Sequence, residues 1–230
     1  MSAPLVSCII PAFNAEQFVS EAIDSIARQT YASIEIIVID DGSTDGTQKV
    51  VEQHPATVRY VRKENGGGAS ARNLGVNAAG GEFLAFLDAD DLWRPDKIAR
   101  QFERFRDRPL LGVSVTCMST FRGSPMEAGT DAASEVIPAY SMSTMMARRI
   151  AFERVGLFDE ALRHADDTEW FLRVRGAGME MELLNDVLAY RRLHAENLSL
   201  TGRSASIDEY LHLLKKNLDR RRAGPSGLVR

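Results

Sequence analysis

Two rhythms alternate along the first 120 or so residues. Short runs rich in β-branched residues, Leu5 to Ile10, Ile34 to Ile39, Thr57 to Arg62, Phe83 to Leu87 and Gly112 to Cys117, predict strands. Between them, apolar positions return every three or four residues. Val19, Ala22, Ile23, Ile26 and Ala27 mark a helix after the first strand, with Asn14 and Gln17 spaced as a capping box. Ser43, Thr44 and Asp45 offer caps for a second helix through Val50 and Val51. Ala69 to Ala79 forms a third, rich in small residues, and Pro95 opens a fourth that turns Ile98, Phe102 and Phe105 inward. Such strand and helix alternation predicts an α/β fold on a mainly parallel sheet.

After Cys117 the rhythm breaks. Residues 122–135 are polar and Gly-rich, a loop pattern. Val136 to Met146 and Leu183 to Tyr190 are expected as strands of a smaller mixed portion, with a helix from about Asp167 to Arg175 between them. From Arg203 onward seven Lys or Arg face three acids, a local charge of +4; the whole chain carries −4, so the remainder carries −8. The expected division is one catalytic domain over residues 1–202, with halves 1–117 and 118–202, and a basic helical tail over 203–230. In the tail, Ile207, Leu211, Leu214 and Leu218 fall at helical spacing. That stripe is expected to dock on its own domain or on a second copy, leaving Arg220, Arg221 and Arg222 for weak contact with an anionic membrane surface.

Composition narrows the class. With 230 residues, 44% of them hydrophobic and 26% charged, the chain can bury a sizeable core and is neither low-complexity nor disordered. A pI near 5.7 excludes a general nucleic-acid binder, which needs excess cations to displace counterions. Cys8 and Cys117 sit apart in apolar runs, so buried thiols in a reducing compartment are expected. The opening apolar run is stopped by Pro11 and is too short for a signal peptide, so the expected location is the cytoplasm.

In open α/β sheets ligands collect beyond the carboxyl ends of the strands, where helix N-termini and loop backbones converge. Strand two runs into Asp40 and Asp41, and strand four into Asp88, Asp90 and Asp91. Five carboxylates at one edge repel one another, so a divalent cation is expected, with a nucleotide diphosphate supplying further oxygen ligands. For Asp40 and Asp41 a plain turn-capping role is an equal alternative. Asn65, Gly66, Gly67 and Gly68 lead into the third helix, where Arg72 adds a cation to a backbone that can approach phosphate. The same stretch reads Gly66-x-Gly68-x-x-Ala71, with Asp88 about 20 residues on, which satisfies a dinucleotide-binding fingerprint and makes an NAD-binding oxidoreductase the rival. Against it, a ribose reader needs one carboxylate where this edge has three in four positions.

The ordered segments Val6-Ser7-Cys8-Ile9-Ile10-Pro11-Ala12-Phe13-Asn14, Ile39-Asp40-Asp41-Gly42-Ser43-Thr44-Asp45-Gly46-Thr47, Ala71-Arg72-Asn73-Leu74-Gly75 and Leu87-Asp88-Ala89-Asp90-Asp91-Leu92-Trp93 resemble the family 2 glycosyltransferases of the GT-A fold. The likeness resumes at Gly156 to Glu160, His164 to Trp170 and Tyr190 to Ser199. It implies a nucleoside-diphosphate-sugar donor, uridine or thymidine based, held with Mn2+ or Mg2+, and transfer with inversion at the anomeric carbon. By that resemblance Pro11, Phe13 and Asp41 line the base and ribose pocket, with Asn14, Asn65 and Gly67 beside them. Phe13 stands where the family often has Tyr, so ring packing replaces a phenolic hydrogen bond. Arg72 meets the donor phosphates or base, Asp88 the ribose, diphosphate or metal, Asp90 the metal, and His194 the metal or diphosphate.

Asp166 and Asp167 match the family's acidic pair at the start of a helix over the acceptor, which makes Asp167 the expected base and Asp166 an acceptor contact or structural neighbour. Asp167 also suits an N-cap, and Trp170 suits the core better than a sugar platform. Carbohydrate, lipid-linked and small-molecule acceptors all fit. A nucleotidyltransferase needs a donor-rich loop after strand one, where Pro11-Ala12-Phe13-Asn14 has neither Gly nor a cation. A non-catalytic sugar-nucleotide sensor has no use for Asp166 and Asp167.

Overall fold

Alternation along the first strand divides the molecule into two cores. The computed structural model describes residues 3–123, 136–195, 209–211, 213 and 215. In β1 (Val6–Ala12) the side chains of Val6, Cys8 and Ile10 enter one apolar cluster and that of Ile9 enters the other, as a two-residue period dictates. The first face is covered by α1 (Val19–Ala27), α2 (Thr47–Glu52) and α4 (Lys97–Asp107). The second is covered by α3 (Gly68–Ala78), α5 (Arg149–Val155) and α6 (Asp166–Gly176). A Cβ on Gly75 of α3 would lie 2.4 Å from Ile9 Cγ2, so a hydrogen there lets α3 sit directly on β1.

β1 runs parallel to β2 (Ile34–Asp40) and β4 (Phe83–Phe86), and β2 runs parallel to β3 (Val58–Arg62). The other half is mixed. β8 (Met146–Arg148) lies antiparallel between β4 and β6 (Leu111–Phe121), and β9 (Glu180–Arg192) pairs parallel with β6. β5 (Leu92–Trp93) closes the far edge antiparallel to β9, and β7 (Val136–Pro138) pairs with β6, giving the order β3-β2-β1-β4-β8-β6-β9-β5. The α/β architecture with its smaller mixed portion is the one expected, and Cys8 and Cys117 are buried and unbonded.

Local differences have local causes. The segment from Val136 to Met146 is not one strand: Pro138 ends β7, and a short 3₁₀ turn over Met142–Thr144, held by Thr144 Oγ1 on Ala139 O at 2.7 Å, separates it from β8. No capping box forms at α1. Asn14 instead takes a left-handed φ of 49°, and α1 begins after Phe18 with no side-chain cap. α6 starts one residue before the expected Asp167. In the tail, Leu211 is 59% exposed while Leu213 is buried, so the docked position is Leu213. Ile207, Leu214, Leu218 and Arg220 to Arg222 lie outside the described residues, as do 124–135. Among the described residues no helix is long and apolar enough to cross a membrane.

Candidate active site

The carboxyl ends of β1, β2 and β4 meet at one edge, and their loops are laced together. Asn14 N–H donates to Ser43 Oγ at 2.9 Å and Thr44 N–H to Asn14 Oδ1 at 2.8 Å, so Asn14 braces the two loops. Asp40 is a turn former: Oδ1 accepts Ser43 N–H at 2.7 Å and Oδ2 accepts the Tyr60 hydroxyl at 2.5 Å, a contact that, with burial, holds the phenol's pKa up. Asp41 is buried and faces the Gly-rich turn. Its Oδ1 accepts Gly66 N–H at 2.9 Å and Lys63 Nζ at 2.8 Å, and its Oδ2 accepts Gly67 N–H at 2.7 Å. Asn65 Nδ2 donates to Asp41 O at 2.9 Å. The backbone cradle expected for a phosphate is thus filled by a protein carboxylate, and this removes the geometric basis of the dinucleotide fingerprint. Phe13 projects beside this pocket, 52% exposed.

The turn after β4 is held from two distant elements. Ser143 Oγ, in the 3₁₀ turn, accepts Asp88 N–H at 3.1 Å and donates to Asp91 Oδ2 at 2.7 Å. Asp91 Oδ1 accepts Arg192 N–H from β9 at 3.2 Å. Burial, then the charges of Asp90 and Asp88, hold the Asp91 carboxyl well above the usual carboxylate range. Asp91 is therefore a structural rivet rather than a ligand. Asp90 Oδ2 lies 2.9 Å from His194 Nε2, whose ring packs against Phe18, and Asp88 Oδ1 accepts Arg72 Nη2 at 3.0 Å. Each of the five carboxylates has a protein partner: Lys63 pairs with Asp41 and Arg72 with Asp88, whereas Asp40 and Asp91 are held by uncharged donors. Among the described residues no cluster of three or more His, Cys, Asp or Glu is arranged as a metal site.

Arg72 joins this edge to α6. Its Nη1 donates to Asp166 Oδ2 at 2.8 Å, while Nη2 holds Asp88. Asp166 is buried in that ion pair. Asp167, the next residue, has no ion-pair partner among the described residues; its Oδ1 accepts Thr168 N–H at 2.5 Å. Burial, then the charge of Asp166, push its carboxyl up to about 6 against the opposing pull of Arg72. Trp170 is fully buried, stacked on Phe152 at 4.5 Å with Nε1 on Gly156 O, and so belongs to the core.

Residues 7–172 match glycosyl transferase family 2. The chain belongs to that family. This family 2 glycosyltransferase is 32% identical over 224 residues to an uncharacterised glycosyltransferase of Rickettsia prowazekii (strain Madrid E), covering 90% of this chain and 70% of that protein. It is 27% identical over 231 residues to a chondroitin synthase of Escherichia coli, covering 94% of this chain and 33% of the synthase. Its GT-A fold is shared with a mannosyltransferase of Pyrobaculum calidifontis solved with GDP-Man and Mn2+, at a TM-score of 0.70 and 24% identity over 86% of this chain and 59% of that one. It is likewise shared with TarS of S. aureus solved with UDP-GlcNAc, at a TM-score of 0.69 and 24% identity over 84% and 60%. The chain thus spans about 60% of the solved chains it matches.

Several residues that shape this edge carry no motif. Glu209 reaches back from the C-terminal segment and accepts N–H groups from Arg163, His164 and Ala165 at 2.8 to 3.2 Å, directly ahead of α6. Arg163 lies over the Gly-rich turn: a Cβ on Gly67, whose φ is +90°, would meet its Nη1 at 2.7 Å. Ser143 has no sequence signal either.

Proposed function

We propose that this glycosyltransferase moves a sugar from a nucleoside-diphosphate sugar, uridine or thymidine based, to an acceptor hydroxyl with inversion, and that Asp167 is the general base. The observation that carries the reading is the unequal treatment of two adjacent carboxylates. Asp166 is neutralised by Arg72, while Asp167 is left without a counter-ion and poised near neutrality, as a base working near pH 7 requires. Asp167 takes the proton of the acceptor hydroxyl as its oxygen bonds the anomeric carbon from the face opposite the diphosphate. The bond from that carbon to the diphosphate oxygen breaks, and the nucleoside diphosphate leaves with the electron pair. Asp166 holds Arg72 in place, and Arg72 in turn holds Asp88 on the donor side.

Pro11, Phe13, Asp41, Asn65 and Gly67 form the wall for base and ribose, with Phe13 supplying an exposed ring face. Asn14 acts on that wall through the loop it braces. Asp41 uses three of its roughly four acceptor positions on Lys63, Gly66 and Gly67, leaving one for a donor on the base. Asp90 and His194, now 2.9 Å apart, and Asp88 on the same turn are the residues that would hold a divalent ion brought in with the diphosphate, and their oxygen and imidazole donors suit Mn2+ and are workable for Mg2+. Such an ion supplies charge compensation for the diphosphate as it departs. The solved neighbours bound to UDP-GlcNAc and to GDP-Man with Mn2+ support a diphosphate donor and a divalent ion.

The test is a thermal-shift panel with UDP, dTDP, GDP and NAD, each with Mn2+ and with chelator. UDP or dTDP should stabilise the protein by roughly 2.7 kcal/mol at 100-fold over the dissociation constant, and only with the metal. Equal stabilisation in chelator removes the metal from this reading, and a response to NAD alone overturns the donor class.

A further inference from the structure

Exposed aromatic rings are few in this molecule, and they are not scattered. Among the described residues the aromatic side chains left exposed are Phe13, Tyr140 and Tyr210, and all three border the candidate site. Phe13 follows β1 on the donor side. Tyr140 stands between β7 and the 3₁₀ turn that carries Ser143. Its ring, 51% exposed, stands nearly perpendicular to that of Phe171, with centroids 5.6 Å apart. Phe171 lies four residues beyond Asp167 on α6, one turn along the same face. Tyr210 comes to the other side of that helix start with the Glu209 clamp, its hydroxyl 3.4 Å from His164 O. Burial, then the charge of Asp167, raises its phenol pKa.

A ring that touches one neighbour and keeps about half of its surface in solvent gains little for the fold. It does suit the C–H face of a pyranose, which lies flat on an aromatic π-surface while its hydroxyls point outward to polar groups. We propose that Tyr140 and Tyr210 are the stacking walls of a saccharide acceptor site, holding a pyranose over the start of α6 so that one hydroxyl reaches Asp167. This inference rests on the glycosyl-transfer reading above and adds the class of acceptor. An isoprenoid chain needs a continuous apolar channel, whereas here the two rings are separated by the acidic first turn of α6, which also repels a phosphate-bearing acceptor.

The test uses simple glycosides as probes: methyl β-D-glucoside, methyl β-D-galactoside and methyl N-acetyl-β-D-glucosaminide, each titrated into the full chain with UDP and Mg2+ present. Saturation-transfer NMR should show contact to the ring C–H protons of at least one of them. Affinity should fall roughly tenfold in Tyr140→Ala and in Tyr210→Ala, in line with the loss of one stacked ring, and persist in Tyr140→Phe and Tyr210→Phe. In unmodified protein carrying labelled tyrosine, the glycoside should shift the ring signals of Tyr140 and Tyr210 and leave those of Tyr31, Tyr60 and Tyr190 in place, which reports on stacking without any variant having to fold. Nucleotide that binds while every glycoside fails, decyl phosphate that outcompetes the glycosides, or alanine variants that hold a glycoside as tightly as the parent would each overturn the saccharide site. Absence of UDP, dTDP and GDP binding to the parent protein would instead bring down the glycosyl-transfer reading itself.

Discussion

The donor edge and the acceptor edge are built on opposite terms. On the donor edge every carboxylate is matched: Asp40 by Tyr60 and Ser43, Asp41 by Lys63 and two backbone N–H groups, Asp88 by Arg72, Asp90 by His194 and Asp91 by Ser143 and Arg192. Most of these partners come from strand ends or the loops directly after them. On the other edge the first turn of α6 is held through Asp166 and through the remote Glu209, and Asp167 has no ion-pair partner among the described residues. On the proposed function, the donor rests on carboxylates that the fold already holds by hydrogen bonds, and the proton goes to a carboxyl with no ion-pair partner among the described residues. Electrostatic preorganisation lowers a barrier only where charge develops.

Removing the unbalanced group should have the largest effect. Asp167→Asn is expected to lower turnover roughly 10² to 10⁴-fold while nucleotide affinity stays close to the parent's, measured by transfer assay and by titration. Because the Asp167 carboxyl is raised to about 6 and acts when deprotonated, the parent's turnover should fall as pH drops below about 6. An Asp167→Asn enzyme with full turnover would show that the base is elsewhere.

Arg72→Gln attacks the link between the two edges. It strands the buried Asp166 carboxylate, so urea unfolding should report a loss of about 3 kcal/mol. It also removes the one charge that lowers the Asp167 pKa, so the acid limb of the turnover profile should move to higher pH. An unmoved limb would uncouple Arg72 from the base.

Asp90→Asn stays on the donor edge. Calorimetry with Mn2+ and UDP should find metal-dependent binding weaker by at least the roughly 10- to 100-fold that disturbing a ligand shell costs, with Asp167-dependent chemistry per bound donor unaffected. Unchanged Mn2+ dependence would move the ion away from Asp90. The smallest effect is expected from Glu209→Gln, which weakens three N–H contacts on a partly exposed group: about 1 kcal/mol of stability, with loss confined to acceptor turnover. A parallel loss of nucleotide affinity would mean that the clamp serves both edges.

The same contrast explains what the sequence made legible. Donor-edge residues follow apolar strands within a few positions, so Asp41, Asp88 and Asp90 are readable from strand ends alone, and the rigid sheet then brings them together. The glycine run was readable as a cradle, yet not for what fills it, because Asp41 reaches it from the neighbouring loop. The spacing of Asn14 reads as a helix cap because Asn in a left-handed turn and Asn at an N-cap share the same local signature. Ser143, Glu209 and Tyr210 make their contacts across 44 or more residues of chain, and they, like Tyr140, leave no periodic trace. The 3₁₀ turn and the bulges in the β6 and β9 pairing are tertiary compromises that a hydrophobic pattern cannot express.

The rivet at Asp91 also sets a timetable. β1, β2 and β3 pair with their sequence neighbours across separations of 22 to 28 residues, so they can consolidate early. Asp91 and Asp90, by contrast, meet Arg192 and His194 across sequence separations of 101 and 104 residues. Those contacts wait until β9 has been made and laid beside β6. A chain emerging from the ribosome would thus hold a nearly finished sheet before it held a finished donor edge, and capacity to capture a metal-nucleotide complex should arrive late in refolding, well after most secondary structure has returned.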